Sequence, residues 1–311
     1  MQNKTIGVLG CSSIAKKAVI PAITECNGLI LSGVASRTPE KAASFAKENN
    51  TEAFSYEELI ASNVDAIYVS LPVGLHYEWG KRVLDSGKHL LMEKTFTETY
   101  AQAQELFQLA QEKELCCMEA LMYRYHPLQL QIKSLLRDIG KVQRVEAHFG
   151  FPHFDNKNDI RYNKALGGGA MLDCLIYPLS FVFSILGSNY RDMLHSNYYD
   201  INTGVDERGY IQLEYPETVA NISYGFGHSY RNEVTIWGEN GILKSQRAFT
   251  RPPQCDIPIE IWSNGRCEEH PTDKENHFVN MLNVFSEELD GKLSLDIDVL
   301  ERIAFIEKLK N

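Results

Sequence analysis

Two short stretches of this sequence carry side chains suited to moving a proton together. Glu93-Lys94 closes a strand-like run that starts at His89, and offers an ammonium at a strand's carboxyl end, where α/β proteins place their chemistry. Far downstream, Gly167-Gly168-Gly169-Ala170-Met171-Leu172-Asp173-Cys174-Leu175-Ile176-Tyr177 sets a carboxylate and a phenol four residues apart. In a helix both would point the same way. A phenol alone releases its proton only at a pH of about 10. A fixed ammonium beside it stabilises the phenolate and brings that exchange toward neutral pH.

A third stretch supplies what such a pair would act with. Gly7-Val8-Leu9-Gly10-Cys11-Ser12-Ser13-Ile14-Ala15 falls where a first strand meets a first helix. A dinucleotide there needs backbone amides aimed at its pyrophosphate and small residues for close approach. Gly10 suits the tight turn and Ala15 the helix–strand contact, Ser12 replaces the middle glycine, and Ser13 and Ile14 begin the helix. A plain strand–helix turn would show the same residues; the βαβ setting favours the dinucleotide. The second strand ends in Ser36-Arg37-Thr38 with no acidic residue before Glu40. A hydroxyl and an arginine suit a ribose 2′-phosphate, so NADP is the expected cofactor and NAD remains possible. Leu71-Pro72-Val73-Gly74-Leu75-His76 forms a loop at the carboxyl edge of the same sheet, along the nicotinamide half. His76 either contacts the cofactor or caps the next helix. Together these features point to hydride transfer at a carbon bearing a hydroxyl.

The elements that must position these residues follow from periodicity. Strands at Thr5–Leu9, Leu29–Ala35, Asp65–Ser70, His89–Glu93 and Leu115–Glu119 alternate with helices at Ile14–Glu25, Pro39–Glu48, Trp79–Ser86 and Tyr100–Lys113, the βαβ pattern of a parallel sheet. Near Tyr123 the pattern changes: a helix from Pro127 to about Leu136, then a strand Val142–Phe149. Segments at Tyr210–Leu213, Ala220–Tyr224, Glu233–Trp237 and Gly241–Lys244 read as antiparallel strands, and His277–Leu289 as a closing helix. Pro178 should break or kink the helix just past Tyr177. The expected organisation is a dinucleotide-binding domain over residues 1–122 and a substrate-binding, oligomer-forming α/β domain over 123–311 with a large, mostly antiparallel open sheet.

Composition bounds the partners. Of 311 residues, 44% are hydrophobic and 23% charged, which is ordinary for a globular chain. A net charge of −10 disfavours nucleic acid and anionic membranes, and no unbroken apolar run approaches the roughly 20 residues that span a bilayer. Met1-Gln2-Asn3-Lys4 leads straight into the strand-like Ile6–Leu9 without a signal peptide's apolar core, so a cytoplasmic setting is expected, and seven scattered cysteines without metal-ligand spacing suit reduced thiols and no metal.

Several motifs occur in the order shared by one family: Gly10…Ile14-Ala15, Asp65-Ala66-Ile67-Tyr68, Leu71-Pro72…His76, Gly87-Lys88-His89-Leu90-Leu91-Met92-Glu93-Lys94, Glu119-Ala120-Leu121-Met122-Tyr123-Arg124-Tyr125-His126-Pro127 and Gly167–Tyr177. Together they resemble the glucose–fructose oxidoreductase, inositol dehydrogenase and rhizopine-catabolism family, and within it the dihydrodiol and xylose dehydrogenase branch. The resemblance implies a Rossmann domain, a second domain with a large open sheet, and a homodimer or homotetramer formed through that sheet. It also implies Lys94 and Tyr177 as the catalytic pair, Asp173 as a substrate or orienting group, and Glu93 near the nicotinamide. Arg124 joins the candidate cofactor contacts, and Tyr125 and Arg161 join Asp173 and Tyr177 as candidate substrate contacts. The chain departs from the family at Thr95, where proline commonly follows a cis peptide, and at Val73, commonly asparagine. The expected substrate is a sugar, cyclic polyol or dihydrodiol. The alternatives are a ketoreductase of a nucleotide-linked sugar, which would need cations such as Arg124, Arg161 or Arg231, and a cofactor-binding regulator without catalysis. An NAD-dependent glycosidase is disfavoured by Ser36-Arg37.

Overall fold

The computed structural model describes residues 3–156, 158–289 and 297–310. The chain forms two compact units, residues 1–122 with 278–307 and residues 123–277 with 308–311.

In the first unit six strands lie parallel: β1 (Lys4–Leu9), β2 (Leu29–Ala35), β3 (Glu52–Phe54), β4 (Ala66–Val69), β5 (His89–Glu93) and β6 (Cys117–Ala120). Their order, β3-β2-β1-β4-β5-β6, reverses between β1 and β4, and ligands of such sheets sit outside the carboxyl ends at that point. Every residue of β4 is buried, which is why it reads as an apolar run rather than an alternation. The short β3 and the helix Tyr56–Ala61 go beyond the sequence expectation. That helix opens with a capping box: Ser55 Oγ accepts the Glu58 N–H at 3.2 Å, and the Glu58 carboxylate accepts the Ser55 N–H at 2.8 Å.

The end of the chain corrects the expected division at 123–311. Helices His277–Glu288 and Ile297–Leu309 carry residues 278–307 into the first unit. The reason is packing. Val299 and Ile303 join the core built by Val83, Leu84, Phe96 and Leu106. Between them in sequence, Arg302 donates from Nη2 to Glu119 Oε2 at 2.6 Å, with both side chains buried.

The second unit holds one sheet of eight strands: β7 (Val142–Phe151), β8 (Asp192–Tyr199), β9 (Asp206–Glu214), β10 (Val219–Phe226), β11 (Arg231–Gly238), β12 (Ile242–Gln246), β13 (Ile259–Ser263) and β14 (Arg266–His270). They lie in the order β14-β13-β12-β11-β7-β10-β9-β8, antiparallel throughout except for the parallel pair β7 and β10. One face packs on helix Pro127–Ile139 and on the helical stretch Met171–Leu186. Ile211, Leu213 and Ile222 are fully buried on that covered face. Period-two alternation separates two faces without saying which one is covered. The outward face carries Leu194, Tyr210, Trp237 and Trp262, each at least 41% exposed.

Pro178 does not break the helix that carries Tyr177. The turn Met171–Leu175 is wound wider than an α-helix, and regular helix then runs from Ile176 to Leu186. A wide turn just before proline accommodates the missing N–H, which cannot reach the Cys174 carbonyl. Among the described residues, the stretch Lys164–Leu186 is long and apolar enough to cross a membrane, yet 72% of its most apolar window is buried inside the protein.

The start of this helix is held by a buried acid. Asp206 accepts the Met171 N–H at 2.5 Å, and Gly169, at φ +122°, leaves room for its carboxylate where a Cβ would collide. Burial pushes the Asp206 carboxyl up to about 6, against the pull of the Met171 and Ala170 amides. The folded state therefore holds this proton more tightly than the unfolded chain does. Its contribution to stability is fully present below about pH 4 and is lost as pH rises through about 6. Asp206→Asn keeps an acceptor and removes the titration. Between pH 4 and pH 7.5, urea unfolding should shift in the variant's favour relative to the parent by up to about 3 kcal/mol. Parallel pH profiles for the two proteins would contradict this.

Candidate active site

At the tip of β1 the chain makes the turn that the sequence suggested. Gly10 has φ +114°, and a Cβ there would run into the backbone carbonyl of Ser70. Only glycine lets β1 and β4 end this close together. Ser12 is a helix cap, its Oγ accepting the Ala15 N–H at 3.0 Å while meeting Ser70 Oγ at 2.5 Å. Ser70 thus joins the two loops at the point where the strand order reverses, a link with no local sequence signal. Ser13 and Ile14 lie exposed in the first helical turn, where N–H groups have no partner within the helix.

Beyond β2, Ser36 is buried and accepts the Thr38 N–H at 3.4 Å, while Arg37 is exposed. Burial raises the Cys11 thiol, and the Lys41 charge and a Ser36 hydrogen bond lower it, so Lys41 acts at the same place as Ser36. Lys41 was missed in the sequence, although it lies only four residues after Arg37. A positive-φ glycine, a helix start and a hydroxyl with two nearby cations fit a dinucleotide bearing a 2′-phosphate.

At the end of β5, Glu93 is buried and accepts the Tyr68 hydroxyl at 2.5 Å and the Lys94 N–H at 3.2 Å. Burial raises its carboxyl, while the Tyr68 hydrogen bond and the Lys94 charge oppose the rise. Tyr68, fully buried on β4, is a further residue that the sequence did not single out as part of this group. The Lys94–Thr95 peptide is cis. His76 is fully buried: Nε2 faces the Leu71 carbonyl at 2.8 Å, and Nδ1 faces those of Thr95 and Phe96 at 3.0 and 3.2 Å. It ties the Leu71-Pro72 loop to the segment after Lys94, which leaves no ring nitrogen turned outward to a cofactor. Burial lowers its pKa, the three carbonyls raise it, and the Lys94 charge lowers it further. Val73 sits in a short turn, Val73–Leu75, that leads into the helix His76–Asp85.

In the second unit the glycines ahead of Asp173 serve close packing of the backbone. A Cβ on Gly168 would come within 2.6 to 2.8 Å of the carbonyls of Arg161, Ile160 and Asn163. That approach brings Arg161 onto Asp173, Nε to Oδ2 at 2.6 Å, and its Nη1 reaches Asp159 at 3.1 Å. The guanidinium also lies over the Phe154 ring at 4.5 Å. Burial works against the Arg161 charge, but the two carboxylates outweigh it and raise its pKa. Tyr177 is buried, its ring packed against Phe149 at 4.8 Å and against Tyr123 and Phe249 at 6.0 Å each. Arg124 and Tyr125 are half-buried in the turn Met122–Tyr125.

The structure therefore gathers Gly10, Ser12, Ser13, Ile14, Ser36, Arg37, Leu71, Pro72, Glu93 and Lys94 along the carboxyl edge of one parallel sheet. Asp173, Tyr177 and Arg161 fall on one helix and the loop packed on it. No cluster of three or more metal-ligating side chains occurs among the described residues.

Comparison with known proteins places this arrangement. Residues 4–121 match the model of an oxidoreductase family with an NAD-binding Rossmann fold, and residues 130–244 match the GFO/IDH/MocA C-terminal domain. A dTDP-3,4-didehydro-2,6-dideoxy-alpha-D-glucose 3-reductase of Saccharopolyspora spinosa is 34% identical, covering 94% of this chain and 89% of its own. An NADP(+) D-xylose 1-dehydrogenase of Haloferax volcanii is 29% identical over 96% of this chain and 93% of its own. Among solved structures, a 3-ketoreductase from Actinomadura kijaniata in complex with NADP and TDP-benzene superposes with a TM-score of 0.95 at 29% identity, over 98% of this chain and 96% of that one. The chain belongs to the GFO/IDH/MocA family of NAD(P)-dependent oxidoreductases.

Proposed function

We propose that this chain reduces a ketone of a sugar with NADPH, or oxidises the matching secondary alcohol, and that a nucleotide-linked keto sugar is its substrate class. The observation that carries the reading is Lys94, held at the exit of β5 beside Glu93, on the edge where Gly10, Ser12 and Arg37 would receive a dinucleotide. The 3-reductase relative, alike over nearly the whole chain, supports the nucleotide-linked substrate. A free sugar is the second reading, supported by the xylose dehydrogenase relative. It gains weight from three ion pairs: Arg161 is engaged by Asp173 and Asp159, and Arg231 by Glu233 at 2.6 Å. Either arginine would have to exchange partners to hold a diphosphate.

A bound nicotinamide would supply the hydride. The chain's own residues do the rest. Tyr177 gives its proton to the carbonyl oxygen, and Lys94 stabilises the developing alkoxide and the phenolate left behind. Asp173, oriented by Arg161, accepts a hydrogen bond from a neighbouring substrate hydroxyl. Tyr125 and Arg161 line the substrate, and Arg124 and Glu93 lie toward the cofactor. Ser36 and Arg37, with Lys41, hold the 2′-phosphate. His76 positions the loop instead of touching the cofactor. The enzyme works in the cytoplasm, in keeping with seven free cysteines. It assembles as a homodimer or homotetramer through the outward face bearing Leu194, Tyr210, Trp237 and Trp262.

Four measurements test this. A screen of dTDP-glucose, D-xylose and D-glucose with NADP+, and of dTDP-linked keto sugars with NADPH, should find turnover; none on any of them would overturn the proposed function. Arg37→Ala should weaken NADPH binding far more than NADH binding, and equal losses in titrations of both would overturn the NADP preference. Tyr177→Phe keeps the ring and should fold and bind NADPH, yet lose turnover on the order of 10² to 10⁴-fold. Lys94→Ala should fall similarly, and the double variant little further if the two act as a unit. Unchanged turnover in Tyr177→Phe would make Tyr177 a packing residue. Light scattering at micromolar concentration should show an oligomer, and Trp237→Glu should dissociate it; a monomer in the parent protein would contradict the assembly.

A further inference from the structure

Lys94 leaves β5 into a backbone segment, Thr95 to Thr97, that belongs to no strand and is fully buried. Side chains from elsewhere meet three of its backbone polar groups. The Phe96 N–H donates to Glu119 Oε1 at 2.9 Å, and the other oxygen of that carboxylate accepts from Arg302 at 2.6 Å. From the opposite direction His76 faces the carbonyls of Thr95 and Phe96. Arg302 lies 183 residues beyond Glu119, on the helix Ile297–Leu309, and its Nε has no hydrogen-bond partner among the described residues. Burying this ion pair is a poor way to gain stability, because apolar residues of similar volume often pack as well or better. What an apolar pair cannot supply is an acceptor at a fixed place for the Phe96 amide.

We propose that Glu119, fixed by Arg302, is a positioning residue for Lys94: the carboxylate anchors the Phe96 amide and so sets where the Lys94 side chain starts. The proposal rests on Lys94 being the catalytic cation. The helix at the end of the chain thereby controls the geometry of the reaction without touching substrate or cofactor. Displacing a reacting group by about 1 Å costs on the order of 10²-fold in rate, and this sets the effect expected from loosening the anchor.

The deciding variant is Glu119→Leu/Arg302→Met, which keeps the volume and removes both charges together with the acceptor. It should fold and bind NADPH with parent affinity. Hydrogen exchange in the cofactor-free protein should rise in the peptide covering residues 94–97 and stay unchanged elsewhere in the sheet. On a substrate found by the screen, kcat should fall on the order of 10²-fold with KM changed little. Glu119→Gln/Arg302→Met restores an acceptor and should recover both the protection and most of the turnover. If the apolar pair does not fold, Arg302→Lys replaces it, and kcat should then fall while the 94–97 peptide loses protection. Parent exchange together with parent turnover would overturn the proposal, and so would lost turnover with unchanged exchange at 94–97. Full turnover in Lys94→Ala would instead overturn the proposed function itself. Loss in Lys94→Ala without loss in the apolar pair overturns the anchor alone.

Discussion

Beyond Glu93 the chain leaves the parallel ladder, and each buried polar group of the next residues needs a partner from somewhere else. The first unit is arranged around that constraint. Glu119 at the end of β6 takes the Phe96 amide, Arg302 on the last helix holds Glu119, and His76 reaches from the loop after β4 to the Thr95 and Phe96 carbonyls. Three separate parts of the sequence thus converge on one short segment, and Lys94 is the residue they hold. A lysine on a free loop would spread its charge over many positions; this one starts from a backbone tied at both its N–H and C=O groups.

The second unit solves a similar problem by other means. The helix bearing Asp173 and Tyr177 begins in a wide turn, its first amide held by the buried Asp206 and its approach packed on Gly168 and Gly169. Arg161 then fixes Asp173, and an aromatic cluster of Phe149, Tyr123 and Phe249 fixes the Tyr177 ring. In both units a buried carboxylate holds a backbone amide next to the groups assigned to chemistry. Such anchors sit in low dielectric, where leaving the amide without a partner is costly.

What was legible in the sequence was local. The β1 turn at Gly10, the strand ending at Glu93 and a helical stretch carrying Asp173 and Tyr177 show in a few neighbouring residues, and each of these elements is present. The links that hold them span long separations and leave no local mark: Arg302 to Glu119, His76 to Phe96, Asp206 to Met171. The same limit explains the expected domain end at 311. Nothing in the pattern of Ile297–Leu309 tells that Val299 and Ile303 pack back on the first unit. It explains the sheet as well, since the alternation around Ile211 and Ile222 is the same whichever face is covered. The capping box at Ser55 and Glu58, by contrast, is legible as a local Ser-x-x-Glu pattern.

The central claim is that hydride reaches a sugar carbon while the chain supplies the proton. The most direct test follows the label: turnover of a keto sugar with NADPH deuterated at the transferable C4 position, read by NMR and mass spectrometry of the product. The account predicts one deuterium, on the carbon that changes from C=O to CH–OH, and none from deuterated solvent at that carbon. Product carrying solvent deuterium there, or no label from the cofactor, would contradict it.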